Sequence, residues 1–258
     1  AGTTTIAAAI STAVDVSESY DAPETPWGEP DIQGVWTGNS AHGIPLERPQ
    51  DLEDSDSLTA EEAVARRERG TLGSIWGYER EWRDTTLGYV KTAPSTQVAM
   101  IIEPDNGRLP PMTAKGVELA AKAAADRARY TEMPVAGPEE LTPYVRCITR
   151  GLPGLMMPSI YNNGLQIYQG PGYVAIQKEM IHETRVIPTE SRPALGSDIT
   201  SWLGDVRGHW DGDTLVVESR NFTDKTRFQG SSEGLRVVER FTRVGAEEIR
   251  YEFTVEDP

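Results

Sequence analysis

The feature that most constrains this chain is a run of strand-like segments separated by tight turns, beginning near Tyr161 and continuing to the last residues. Leu165 to Gln169 and Tyr173 to Ile187 flank Gly170-Pro171-Gly172; Arg207 to Trp210 and Thr214 to Ser219 flank Asp211-Gly212-Asp213; Val237 to Val244 and Glu248 to Val255 flank Gly245-Ala246-Glu247. Gly, Pro and Asp supply the backbone angles that a chain reversal needs, and the flanking segments alternate apolar and polar residues as half-buried strands do. Successive hairpins imply an antiparallel meander, and closing such a sheet into a barrel removes its exposed edges. The expected fold class is mainly β, with two short helices and long loops supplied by the N-terminal half.

That half reads differently. Ala1 to Val14 carries no charge and is shorter than the ~20 residues a bilayer span needs. It reads as the remnant of an export signal's apolar region or, alternatively, as a flexible arm; the export reading is preferred, and the location expected from it is the periplasm or outside the cell. Asp15 to Asp31 is acidic and Pro-rich, as a surface segment is. The organisation predicted is an extended or flexible arm over 1–31 and one β-rich domain over 32–258. Ile32 to Trp36 starts that domain as a strand, and Val98 to Ile102 is a buried strand. Thr59-Ala60-Glu61-Glu62 is a capping box that opens a helix around 60–69, ended by Gly70. Thr113 caps a second helix around 114–130, whose alanine-rich apolar face packs shallowly at the periphery.

Charge and cysteine content exclude several function classes. The 258 residues hold 25 Lys+Arg against 40 Asp+Glu, a net charge of −15, which repels nucleic acid and anionic membranes. The single cysteine, Cys147, forms no internal disulfide and reads as a small buried side chain. His182-Glu183 starts like a zinc-protease motif, but position 186 is Val. The three histidines, His42, His182 and His209, have no ligand spacing, and no twelve-residue calcium loop surrounds Asp205, Asp211 and Asp213. Gly230-Ser231-Ser232-Glu233-Gly234 matches GxSxG, but strand-like residues follow it where a nucleophile elbow needs a helix. No phosphate-binding glycine loop is present. No metal and no cofactor is expected.

Pro26-Trp27-Gly28-Glu29-Pro30-Asp31-Ile32-Gln33-Gly34-Val35-Trp36, Tyr161-Asn162-Asn163, Glu179-Met180-Ile181-His182 and Gly208-His209-Trp210-Asp211-Gly212-Asp213-Thr214-Leu215-Val216-Val217 together resemble an uncharacterised family of exported bacterial proteins. The resemblance runs from Pro26 to the C-terminal residues and brings no reaction or catalytic residues with it. At fold level, Gly34-x-Trp36 and the meander resemble calycin barrels such as lipocalins, which implies a calycin-like closure of the sheet.

Strand parity selects the candidate site. Ile249, Tyr251, Phe253 and Val255 share one apolar face, and the preceding strand places Glu239 between Val237 and Phe241, hence inward. With Tyr173 to Ile187 read as one strand, Val174, Ile176, Lys178, Met180, His182, Thr184 and Val186 face inward, and Gln177, Glu179, Glu183 and Arg185 face solvent. An inward His182 beside an inward Glu239 suits a general base and its orienting carboxylate; the competing reading is a structural contact, or a bulge that reverses the parity. Lys178, Arg207, His209, Tyr161 and Asn163 are the candidate substrate-binding groups. The corresponding function is binding of a small apolar or amphipathic molecule, with room for cofactor-free acid-base chemistry of lyase, isomerase or hydrolase type. The alternative is an interaction subunit of an envelope or extracellular assembly, built through the N-terminal arm and the aromatic stretch from Trp76 to Tyr89.

Overall fold

The computed structural model describes residues 4–10, 20–74, 93–129, 134–159 and 161–258. The aromatic stretch from Trp76 to Tyr89 lies outside them, as do residues 15–19 of the acidic segment. The described chain is mainly β, with two helices and two antiparallel sheets.

The turn residues act where expected. Strands β4 (Gly164–Gly170) and β5 (Tyr173–Lys178) pair through a two-residue loop, Pro171-Gly172, with Gly172 at φ 81°. Strands β7 (Asp205–Asp211) and β8 (Thr214–Arg220) turn through Gly212-Asp213, with Gly212 at φ 57°. Strands β9 (Arg236–Gly245) and β10 (Glu248–Asp257) turn through Ala246-Glu247.

Strands β1 (Thr4–Ile10) and β3 (Ile101–Glu103) complete a six-stranded sheet in the order β3-β1-β10-β9-β8-β7. Strand β2 (Gly34–Thr37) joins β4, β5 and β6 (Thr184–Pro188) in a four-stranded sheet of order β2-β4-β5-β6. Thr4–Ile10 falls within the expected N-terminal arm but pairs along its length with β10, so this part of the arm belongs to the sheet. Strands β6 and β7 are consecutive and adjacent, yet among the described residues no backbone ladder joins them, and the strands form two sheets, not one closed ladder.

Helix α1 (Ala60–Ser74) opens on the predicted capping box: Glu62 N–H donates to Thr59 Oγ1 at 3.2 Å, and Thr59 N–H donates to Glu62 Oε2 at 2.8 Å. It runs through Gly70, where a stop was expected. Helix α2 (Ala114–Arg129) has Gly116 N–H donating to Thr113 Oγ1 at 3.1 Å, as a Thr cap requires. Among the described residues no helix is long and apolar enough to cross a membrane.

The inner faces of the sheets form one core, with Ile167, Val174, Ile176 and Ile187 from the smaller sheet against Leu215, Val217, Val237, Phe241, Phe253 and Val255 from the larger. The parity expected for β9 and β10 holds: Val237, Glu239 and Phe241 are buried, as are Tyr251, Phe253 and Val255.

The inward positions expected across Tyr173 to Ile187 are buried as far as Met180 and fail from His182 onward. The segment is two strands joined by a hairpin turn over Glu179–His182, in which Ile181 (φ 68°) and His182 (φ 62°) are left-handed. Lys178 N–H donates to Glu183 O at 2.9 Å, and Ile176 pairs with Arg185. Paired residues share a face, so inward positions are even before the turn and odd after it. Arg185 and Ile187 are therefore inside, while Thr184 and Val186 face solvent. Cys147, expected to be buried, is exposed.

Candidate functional site

Glu239 lies inside as its parity implies, but His182 does not meet it. His182 is exposed on the turn, and the partner of Glu239 is Arg185, which reaches it from the opposite sheet. Arg185 Nη1 donates to Glu239 Oε2 at 2.5 Å and Nη2 to Oε1 at 2.9 Å. Tyr251 Oη donates to Oε1 at 2.9 Å. Burial, then the Glu239 carboxylate, pushes the Tyr251 hydroxyl well above the usual phenol range. The expected His182–Glu239 acid-base pair is replaced by a buried Arg–Glu–Tyr cluster that ties the sheets together.

Three of the expected substrate-binding groups sit elsewhere on the surface. Arg207 is a clasp for the connector between β6 and β7: its Nη2 donates to Asp205 Oδ2 and to Pro193 O, both at 2.6 Å, and its Nη1 donates to Arg192 O. Burial, the largest single influence, would raise the Asp205 carboxyl, but hydrogen bonds from Arg207 and from Leu195 N–H, with the charges of Arg207 and Arg192, together outweigh it and hold the group below the ordinary range. His209 is exposed on β7. Tyr161 is 38% exposed beside Tyr144, whose proximity, with some burial, raises its hydroxyl.

The remaining two, Lys178 and Asn163, come together on the wall of a cavity of about 760 Å³. The cavity lies between β2, β4 and β5 on one side and the β9–β10 hairpin on the other. Trp36, Met156, Leu165, Phe241 and Ile249 give it apolar walls.

Lys178 continues the inward face of Val174 and Ile176 and is 4% exposed. Its Nζ donates to Asn163 O at 3.1 Å, and among the described residues no carboxylate pairs with it. Burial chiefly, then the Arg150 guanidinium, lowers its ammonium to about 8, against a smaller opposing pull from Glu179. Glu179 is itself engaged, its Oε2 accepting from Gly164 N–H at 2.9 Å.

Asn163 is a fully used node. Its Oδ1 accepts from Ser159 N–H at 2.7 Å, and its Nδ2 donates to Ser159 O at 2.7 Å and to Asn39 Oδ1 at 3.0 Å. Its carbonyl accepts from Gly38 N–H at 3.2 Å as well as from Lys178. Asn163 thus fixes the amine, and its own amide group is already committed.

On the facing wall Arg243 donates to Asp31 O at 2.9 Å, Ala246 O at 2.7 Å and Gly245 O at 3.3 Å, and its guanidinium lies 5.5 Å from the Trp36 ring centroid. Trp36 Nε1 donates to Ile32 O at 3.2 Å. Both side chains are held rigidly, which gives the cavity a preformed aromatic rim. Neither Trp36 nor Arg243 is singled out by strand parity, because their pairing joins segments some 200 residues apart.

Among the described residues no group of three or more His, Cys, Asp or Glu is placed to hold a metal ion. A scan against protein-family models finds no match, and searches of the curated proteins and of the solved structures return none.

Proposed function

We propose that this protein binds a small amphipathic molecule in the cavity between its sheets, which act as the two halves of an open, calycin-like barrel. The observation that carries the reading is the cavity itself: about 760 Å³, apolar on most of its wall, with one buried amine at Lys178. That volume is within the range of small-molecule pockets, and a few convergent polar groups on apolar walls are their usual pattern. The preset positions of Trp36 and Arg243 support it further, since a pocket that needs no rearrangement loses less free energy on binding. An acid-base reaction through His182 and Glu239 has no geometric support, because Glu239 is occupied by Arg185 and Tyr251.

The test is titration with N-phenyl-1-naphthylamine, whose fluorescence rises in apolar surroundings. Saturable binding to one site per chain is expected. Leu165→Arg, which places a charge on the cavity wall, should weaken it by about tenfold or more, equivalent to ~1.4 kcal/mol. Equal affinity in the two proteins would overturn the reading.

A further inference from the structure

We infer that Lys178 is a carbonyl-reactive amine, so that the cavity takes apolar aldehydes or ketones and holds them as a reversible imine. The inference rests on the cavity-binding reading and deepens it by naming the ligand class.

A lysine on an apolar wall is usually excluded or paired. Lys178 is neither: it is 4% exposed, lines the cavity, and among the described residues is anchored only through the Asn163 carbonyl, which orients the amine without neutralising its charge. A carboxylate partner would lock it as ammonium. Glu179, the acid whose charge acts on it, spends a carboxylate oxygen on the Gly164 amide. Arg150 adds a second cation that favours the neutral amine, the arrangement by which nucleophilic lysines are activated. The other charged or titratable groups on the walls are Arg243, committed to three carbonyls, Tyr251, committed to Glu239, and Glu247 and Glu248 on the β9–β10 hairpin.

The chemistry balances without a co-reactant. The ammonium gives one proton to solvent, and the nitrogen lone pair attacks the carbonyl carbon and opens the C=O π bond. A proton moves from nitrogen to the new alkoxide, forming a carbinolamine. Its hydroxyl takes one proton from solvent and leaves as water, and the nitrogen lone pair forms the C=N bond. In sum, ammonium and carbonyl give protonated imine and water. Apolar walls disfavour the returning water and hold the alkyl chain beside the amine.

The experiment incubates the protein with decanal and sodium cyanoborohydride at pH 8, then maps adducts by peptide mass spectrometry. The internal comparison is with Lys91, Lys115, Lys122 and Lys225, of which Lys115 and Lys122 are 61% and 68% exposed. The expected result is one decyl group per chain, on Lys178 at least about tenfold above any other lysine despite its burial. Lys178→Arg, which keeps the charge, and Lys178→Met should both lose the adduct. Decan-1-ol, which forms no imine, should still displace N-phenyl-1-naphthylamine from the wild-type protein. Labelling that follows exposure, or displacement by decan-1-ol and decanoate with no adduct at Lys178, overturns the imine while the cavity reading stands. Failure of decan-1-ol to displace the probe overturns both. Mapping on the wild-type protein decides the matter even if a variant does not fold.

Discussion

Arg185 and Glu239 meet between the sheets as a two-point ion pair, each side chain at most 1% exposed, with Tyr251 supplying a third hydrogen bond to the same carboxylate. Strand β6 is thereby fixed to β9 across the core. A buried pair of this kind stabilises little relative to apolar residues, but removing one partner leaves an uncompensated buried charge.

Glu239→Leu alone is therefore expected to cost about 3–5 kcal/mol, and Arg185→Met combined with Glu239→Leu to recover most of that loss. Urea unfolding of the two single variants and the double variant measures the coupling. Single-variant losses under ~1 kcal/mol would mean that water reaches the pair.

The Tyr251 hydroxyl should stay protonated well past the ordinary phenol range, because burial and the Glu239 carboxylate both oppose phenolate. An unfolded tyrosine ionises near 10.0, so above that pH the folded state holds a proton that the unfolded state has lost. Stability then falls as pH rises. In an absorbance titration at least one of the nine tyrosines should ionise only with alkaline unfolding, and Tyr251→Phe should remove that fraction. Loss of its hydrogen bond to a charged group should also cost about 1.5–3 kcal/mol.

Lys178 works against the fold at neutral pH. Its ammonium titrates near 10.5 when unfolded and about 8 when folded, so between those values the unfolded chain binds more protons and stability rises with pH. Below about 8 the cost is complete, roughly 3 kcal/mol at ~1.4 kcal/mol per unit. Lys178→Met should consequently stabilise the protein at pH 7 by about 1–3 kcal/mol, after loss of the Asn163 contact, and should abolish the rise between pH 8 and 10.5. Thermal unfolding of both proteins across that range provides the comparison. A variant less stable than wild type at pH 7 would assign Lys178 a purely structural role.

Much of the sheet is written locally. Gly172, Gly212 and the Thr59 capping box announce themselves by residue type, and the inward face of β9 and β10 follows from simple alternation, Glu239 included. The partner of Glu239 is not legible, because Glu179-Met180-Ile181-His182 contains no Gly, Pro, Asn or Asp to mark a reversal. Without that mark, two strands read as one, and Arg185 exchanges faces with His182. The cavity fares similarly: Lys178 and Asn163 are accessible to pattern, whereas Trp36 and Arg243 are brought together only by the packing of one sheet against the other.

That unmarked turn makes a test of its own. His182 adopts φ 62°, a conformation that costs an L-residue about 1–2 kcal/mol, and its ring is exposed. Glycine removes that strain but adds about 0.5–1 kcal/mol of chain entropy to the unfolded state. His182→Gly is therefore expected to raise stability by up to ~1 kcal/mol, seen as a higher urea midpoint at unchanged slope. Binding of N-phenyl-1-naphthylamine should be unaltered, since His182 does not line the cavity. A variant that folds normally but loses the probe would return His182 to the site and displace Lys178 from its centre.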